Sequence, residues 1–175
     1  MKKCFIISPI GQPGSDARQQ ADDVLEYIIR PALRELEVEA VRGDHFSEPG
    51  LITDQVIEAI LTYDFCIVDI SGHNPNVFYE LAIAQTIRRP VVFLKLAGEP
   101  IPFDVKDYRL IEYDLKPRSI MTNKWIPVLK AQISAILKPN FVAPPLPGSE
   151  FRVIEYRKNS LIYCQCTVKR AWYCA

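Results

Sequence analysis

The chain has 175 residues, 49% hydrophobic and 24% charged, an ordinary composition for one globular domain with a full core. Its 21 basic and 21 acidic residues cancel, so no diffuse positive field attracts nucleic acid, and we expect no nucleic-acid partner. No apolar run is long enough to span a membrane, and Pro9 and Gly11 interrupt the one that follows Met1, which argues against a signal peptide. We therefore expect a cytoplasmic protein without membrane contact.

The five cysteines fit a reducing compartment. Cys4 and Cys66 lie in apolar runs that predict buried strands, where a thiol acts as a small hydrophobic group. The other three are Cys164, Cys166 and Cys174, near the carboxyl terminus. There is no Cys-x-x-Cys pair, and both histidines are far from these cysteines in sequence, so we expect no metal site.

Short apolar runs alternate along the chain with segments of helical apolar spacing. The runs that predict strands are residues 4–8, 38–41, 65–69, 90–95 and, more weakly, 109–113. The segments that predict helices are residues 17–36, 51–61, 75–87 and 124–137. Pro31 falls inside the first helix and should kink it or start a new turn.

This alternation predicts an α/β fold. Strands and helices that alternate over about 140 residues indicate a parallel sheet with helices on both faces. Right-handed crossovers leave few topologies, and five strands most simply give a doubly wound, flavodoxin-like sheet.

The end of the chain has a different composition. We predict a domain over residues 1–138, a proline-rich linker over 139–147 and a tail over 148–175. Gly148-Ser-Glu-Phe151 is what two adjacent common cloning sites encode. The tail is therefore either derived from cloning or a native β-hairpin of residues 151–156 and 161–168.

Ligands of open parallel sheets bind beyond the carboxyl ends of the strands, where the strand order reverses. The loop after the first strand, from Ser8 to Ser15, precedes a predicted helix whose first amides could bind a phosphate or a ribose. The loop matches neither the Gly-x-Gly-x-x-Gly nor the Walker pattern. The alternative is that its glycines and prolines only turn the chain.

The third strand ends at Asp69 and leads into a helix that carries Glu80. Asn74 can cap this helix, with Pro75 at its first position, and Asn76 is the alternative cap, which would bring Glu80 nearer the helix start. Glu80 shares a helix face with three apolar residues, so it lies beside the surface that packs on the sheet; these residues are Val77, Leu81 and Ala84. A carboxylate there needs a partner or a function.

Alternatives remain for both acids. Glu80 could form a salt bridge with Arg18 or another basic group. Asp69 could cap a turn rather than contact a ligand. Further polar candidates are Arg18, Asp22, Asp44, His73, Asn74 and Asn76, of which we expect His73 to be an exposed turn residue.

A series of blocks carries a resemblance to a known family. The blocks are residues 4–11, Gly14-Ser15, Arg18, Ala21-Asp22, Arg42-Gly-Asp44, Pro49-Gly50, Ile52-Thr53, Asp69, residues 74–81, Pro102-Phe-Asp104 and Arg109. In this order they resemble a bacterial family of TIR-like and nucleoside 2-deoxyribosyltransferase-like domains. The resemblance covers about residues 3–137 and excludes the tail. Gly43 stands where the family pattern has alanine before the aspartate.

Both branches of this group break an N-glycosidic bond next to a ribose with a glutamate on this helix. The resemblance therefore implies that Glu80 is catalytic, as a nucleophile in a deoxyribosyltransferase or as the carboxylate that stabilises an oxocarbenium-like state in an NAD⁺ glycohydrolase. The implied substrate-binding residues are Ser8, Ile10, Gly11, Arg18, Asp44, Asp69, Asn74 and Asn76.

The first hypothesis for function is therefore NAD⁺ glycohydrolysis by a TIR-like effector domain, with NAD⁺ or a nucleoside as the substrate and no cofactor. One alternative is a nucleoside 2-deoxyribosyltransferase or nucleotide N-glycosidase, and another is a non-catalytic nucleotide-binding or assembly module. Domains of this group often complete the pocket across a subunit interface and serve as anti-phage effectors fused to a second-messenger sensor. We therefore expect a homo-oligomer and a fused or partner sensor domain.

Overall fold

The computed structural model describes residues 1–47, 49–144, 150–153 and 164–167. One sheet consists of five strands, β1 (Lys2–Ile7), β2 (Val38–Arg42), β3 (Phe65–Asp69), β4 (Val91–Leu96) and β5 (Leu110–Tyr113). The strand order is β2-β1-β3-β4-β5, and every adjacent pair is parallel. The predicted doubly wound, flavodoxin-like α/β fold is confirmed.

The helices follow the predicted segments closely. They are α1 (Asp16–Val24), α2 (Arg30–Arg34), α3 (Ile52–Thr62), α4 (Pro75–Thr86), α5 (Pro117–Met121) and α6 (Ile126–Ile136). A π-helical turn, Leu25–Ile29, joins α1 to α2, and the Arg30 amide donates to the Leu25 carbonyl. The helical repeat thus changes just before Pro31, which has no amide proton to donate, as the sequence predicts. The short helix α5 was not predicted.

Both faces of the sheet are covered. Helices α1, α2 and α6 pack on one face, and α3 and α4 pack on the other, so the core forms two apolar clusters. Successive strand residues point to opposite faces. Cys4 accordingly belongs to the first cluster and Cys66 to the second. Both thiols are free, and burial raises the pKa of each.

The tail contains a second, separate sheet. Strands β6 (Glu150–Val153) and β7 (Cys164–Thr167) pair antiparallel. This pairing agrees with the hairpin alternative over the paired residues. The linker boundary and the origin of the tail stay predictions, and much of the linker lies outside the described residues. Within the described ranges, no helix is both long and apolar enough to cross a bilayer.

Two neighbouring residues of α6 test this packing. Leu129 is 0% exposed, whereas Val128 is 48% exposed. We expect Leu129→Ala to lower the free energy of unfolding by about 2–5 kcal/mol because it leaves a cavity against the sheet. Val128→Ala should change it by about 0.5 kcal/mol or less. Urea denaturation of both variants measures the difference, and equal effects would contradict the placement of α6.

Candidate active site

The strand order brings three predicted loops to one place. Because β1 pairs with β2 on one side and with β3 on the other, the loops that follow these strands leave the same edge of the sheet as neighbours. The order of the strands reverses between β1 and β3, where open α/β sheets bind ligands. The predicted site residues lie in these loops or in the first turns of the helices that follow, except Asp69, which ends β3, and Glu80, which lies in the second turn of α4.

The loop after β1 packs tightly on the start of α1. Ser15 caps the helix by accepting a hydrogen bond from the Arg18 amide at 3.2 Å. A Cβ atom on Gly11 would lie 2.5 Å from Ser15 Oγ and 2.7 Å from the Arg18 nitrogen, so only glycine fits this position. The Ser8 hydroxyl is buried without a hydrogen-bond partner among the described residues. Ile10 is 40% exposed beside it.

The loop after β3 begins α4 as predicted. The Asn74 side chain accepts a hydrogen bond from the Asn76 amide at 2.9 Å, and Pro75 occupies the first turn. Asn76 and His73 are exposed. The His73 ring Nε2 lies 3.1 Å from the Pro100 carbonyl oxygen, which joins this loop to the one after β4.

Glu80 lies on the flank of α4 with its carboxylate partly buried. Val77, Leu81 and Ala84 on the same helix are at most 2% exposed, as the spacing predicts. Among the described residues, no hydrogen bond or ion pair reaches the Glu80 carboxylate. Arg18 bonds to Asp22 and Asp44 instead, so the structure does not contain the Arg18–Glu80 salt bridge that we considered.

The electrostatics of Glu80 follow from this isolation. Burial raises its pKa from 4.5 to about 7, since a charged carboxylate there loses hydration without gaining a partner. The Glu80 charge also raises the pKa of the Cys66 thiol on β3, although burial is the larger cause. Glu80 is therefore a carboxylate whose negative charge is available to a ligand.

Asp69, unlike Glu80, has hydrogen-bond partners for its carboxylate. It is 2% exposed, and its carboxylate accepts hydrogen bonds from the Ser71 amide at 3.0 Å, from the Ser71 hydroxyl and from the Tyr113 hydroxyl at 2.9 Å. Burial raises the pKa of Asp69, although these bonds oppose the shift. Because the side chain is buried and the chain itself donates to both of its oxygens, the geometry favours the turn-capping alternative. The role of Asp69 as a ligand contact stays a prediction.

Arg18 and Asp44 meet in a network of four charged side chains. Arg18 donates to Asp44 Oδ2 at 2.7 Å and to Asp22 Oδ2 at 2.9 Å. Arg42 donates to both oxygens of Asp44, at 2.7 and 2.8 Å, and to Asp22. Arg42 was not among the residues predicted for the site, although a basic residue at the end of a short apolar strand is a signal for a polar contact there.

Cavity size does not single out this site. A cavity of about 400 Å³ lies along α3 and is lined by His45, Phe46, Ser47, Gln55, Glu58, Ala59, Thr62 and Tyr63 rather than by Glu80. The partly buried carboxylate of Glu80, which has no partner among the described residues, is the stronger indication of a site. Acids with a strongly shifted pKa cluster at functional sites, because binding and catalysis need such shifts. The described residues contain no cluster of His, Cys, Asp or Glu suited to a metal ion.

The raised pKa of Glu80 predicts how stability depends on pH. Between pH 4.5 and about 7 the unfolded chain releases the Glu80 proton while the folded chain keeps it, so stability is lost as pH rises through this window. Glu80→Gln removes this loss. We expect the melting temperature of the variant to exceed that of the wild type by more at pH 8 than at pH 4.5, by differential scanning fluorimetry. A difference that is the same at both values would contradict the burial of the carboxylate.

The network around Asp69 predicts a second effect. Asp69→Asn replaces one acceptor oxygen by an amide group that faces donors, which should lower the free energy of unfolding by about 1–3 kcal/mol. Asp114 is the matched control, since its Oδ1 likewise accepts the amide two residues on, from Lys116 at 3.0 Å, but at an exposed site. Asp114→Asn should lower the free energy of unfolding by less than Asp69→Asn does. Equal losses in urea denaturation would argue against a structural role for Asp69.

Comparisons with known proteins support the fold. No protein-family model matches the chain, and no curated protein matches it significantly. A 2-deoxyribosyltransferase of Bacillus psychrosaccharolyticus is similar over 67% of this chain and 95% of its own, with a TM-score of 0.52 and 14% identity. The CMP N-glycosidase BcmB of Clostridium botulinum is similar over 70% of this chain and 98% of its own, with a TM-score of 0.50 and 16% identity. The chain thus shares the fold of these two enzymes.

Proposed function

We propose that this protein cleaves the N-glycosidic bond of a nucleoside or nucleotide, with Glu80 as the catalytic carboxylate. The observation that carries the proposal is the Glu80 side chain itself, which is partly buried, has a pKa of about 7 and forms no ion pair with the described residues. It lies on the helix that follows β3, beside the point where the strand order reverses. A charged group without a partner is costly unless a ligand makes use of it.

The chemistry requires such a group. When the bond between C1′ and the base nitrogen breaks, the base keeps the electron pair and C1′ becomes oxocarbenium-like and positive. A fixed carboxylate lowers the energy of that state by charge attraction. It can also bond to C1′ and form a glycosyl ester. Water then attacks C1′ in a hydrolase, or a second base does so in a transferase.

The substrate class is supported by the comparisons. The two similar solved structures are a 2-deoxyribosyltransferase and a CMP N-glycosidase, so nucleosides and nucleotides are the first compounds to test. NAD⁺ is the second candidate, favoured by the TIR-like blocks of the sequence. Its nicotinamide leaves as a neutral molecule, so bond cleavage needs no proton donor.

Assembly is part of the same proposal. Large apolar side chains are exposed around this edge of the sheet, among them Leu51 at 71%, Tyr79 at 60% and Phe103 at 70%. A homo-oligomer would cover such a surface. The effector role in anti-phage defence, together with a fused or partner sensor domain, is proposed from the sequence resemblance.

The test is turnover of a defined panel at several protein concentrations, followed by mass spectrometry. The panel contains CMP, deoxycytidine with free adenine as the acceptor, and NAD⁺. We expect release or exchange of the base, and we expect Glu80→Gln and Glu80→Ala to reduce the rate at least about 100-fold. Glu39→Gln, at an exposed glutamate paired with Lys3, should leave the rate unchanged.

The outcomes separate the candidates. Exchange of cytosine for adenine identifies a transferase, whereas free ribose 5-phosphate from CMP identifies a nucleotide glycosidase. Full activity in both Glu80 variants would contradict the assignment of the glutamate. Tight binding without turnover at every protein concentration would favour a non-catalytic module.

A further inference from the structure

Arg42 is a buried charge at the carboxyl end of an edge strand. Its side chain is 2% exposed, whereas those of Arg18, Asp22 and Asp44 are 29%, 41% and 18% exposed. β2 pairs with β1 on one side only, so Arg42 lies at the border of the sheet, where Asp22 of α1 contacts it. A guanidinium in such a place must have partners on the protein, since water does not reach it.

The partners of Arg42 are the two carboxylates that also hold Arg18. Its Nε and Nη2 groups bond to the two oxygens of Asp44 at 2.7 and 2.8 Å, in the planar two-bond geometry of an arginine and a carboxylate. Nη2 also donates to Asp22, which accepts from Arg18 Nε. Arg42 therefore fixes Asp44 directly and Arg18 through Asp22. A lysine could not make the two-bond contact.

The charges of the network sum to zero. Burial alone would raise the pKa of Asp44 and of Asp22, but hydrogen bonds and charge from Arg42 and Arg18 hold both values below the ordinary range. Both carboxylates are therefore ionised at neutral pH, and they face two guanidinium groups. The exposed parts of Arg18 and Asp44 then offer a donor and an acceptor side by side with little net charge. This arrangement suits neutral hydroxyl groups, which both donate and accept, better than it suits a phosphate.

We propose that Arg42 is a positioning residue that sets the Arg18–Asp44 pair to bind the hydroxyl groups of the substrate sugar. The inference rests on the proposed function, because it takes a nucleoside or nucleotide as the ligand. Arg42 would act through Asp44 and Asp22, which its Nε and Nη2 groups contact, while its Nη1 group is buried and has no hydrogen-bond partner among the described residues.

Binding of cytidine and CMP, measured by isothermal titration calorimetry, tests the proposal. All variants carry Glu80→Gln so that the ligand is not consumed. We expect Arg42→Lys to weaken the Kd of both ligands about tenfold, since a displaced binding group loses its alignment. Asp44→Asn should weaken the Kd to a similar extent. The double variant should bind about as weakly as Asp44→Asn alone, because the two residues act through one contact.

Arg89 provides the matched control. Its Nε and Nη2 groups donate to the Ile60 and Leu61 carbonyls at the C-terminal end of α3, so it is an arginine with a structural role away from the carboxyl edge of the sheet. Arg89→Lys should lower the melting temperature without changing either Kd. If Arg42→Lys does not melt cooperatively, Asp22→Asn replaces it. That variant keeps the Arg42–Asp44 contact and should weaken both ligands less than Asp44→Asn does.

Five results would overturn the proposal. Arg42→Lys could bind both ligands as tightly as the Glu80→Gln protein does, or Arg89→Lys could raise both Kd values as much as Arg42→Lys does. The fold-losses of affinity could multiply in the double variant. The loss of affinity could also be confined to CMP, which would indicate phosphate recognition. The absence of binding to either ligand in the Glu80→Gln background also counts against it. Binding of cytidine without turnover by the wild type would instead contradict the proposed function and leave this inference standing.

Discussion

The pairing of β1 between β2 and β3 is the constraint on which the site depends. In an all-parallel sheet with both faces covered by helices, every strand ends at the same edge, and the chain must leave that edge through polar loops. Central β1 therefore places its own loop between the loops of its two neighbours. Gly11 shows how little room this leaves, since a single methyl group would collide with the capping Ser15 and with the backbone of α1.

The carboxylates that gather at this edge differ in how their charge is satisfied. Asp22 and Asp44 are ion-paired with two arginines, and Asp69 accepts hydrogen bonds from its own turn and from Tyr113. Glu80 has no such partner among the described residues, and burial raises its pKa to about 7. A partly desolvated acid beside satisfied ones is the arrangement expected where a ligand must supply the missing positive charge. The physical distinction between these acids is the basis of the functional proposal.

In the proposed reaction, the charged residues at this edge of the sheet would have separate roles. Glu80 would face the positive charge that develops at C1′, while Arg18 and Asp44 would hold the sugar in place and Arg42 would hold that pair. The Glu99 carboxylate in the loop after β4 accepts a hydrogen bond from the Gly72 amide at 2.9 Å, so the loops after β3 and β4 are held together.

The sequence alone determined the features that depend on local spacing. Continuous apolar runs predicted the five strands, and helical spacing put Glu80 beside the packing face of its helix. The sequence offered both Asn74 and Asn76 as caps of that helix, and the structure shows Asn74. Tertiary structure decided which charged and polar side chains contact one another. Arg18 and Asp44 are 26 residues apart, and Asp69 and Tyr113 are 44 apart, so periodicity carries no information about either contact. The contact between Arg42 and Asp22 joins residues 20 positions apart and is likewise invisible to periodicity. Local periodicity reports which face of an element is apolar, whereas the pairing of charges depends on which ends of distant elements meet in space.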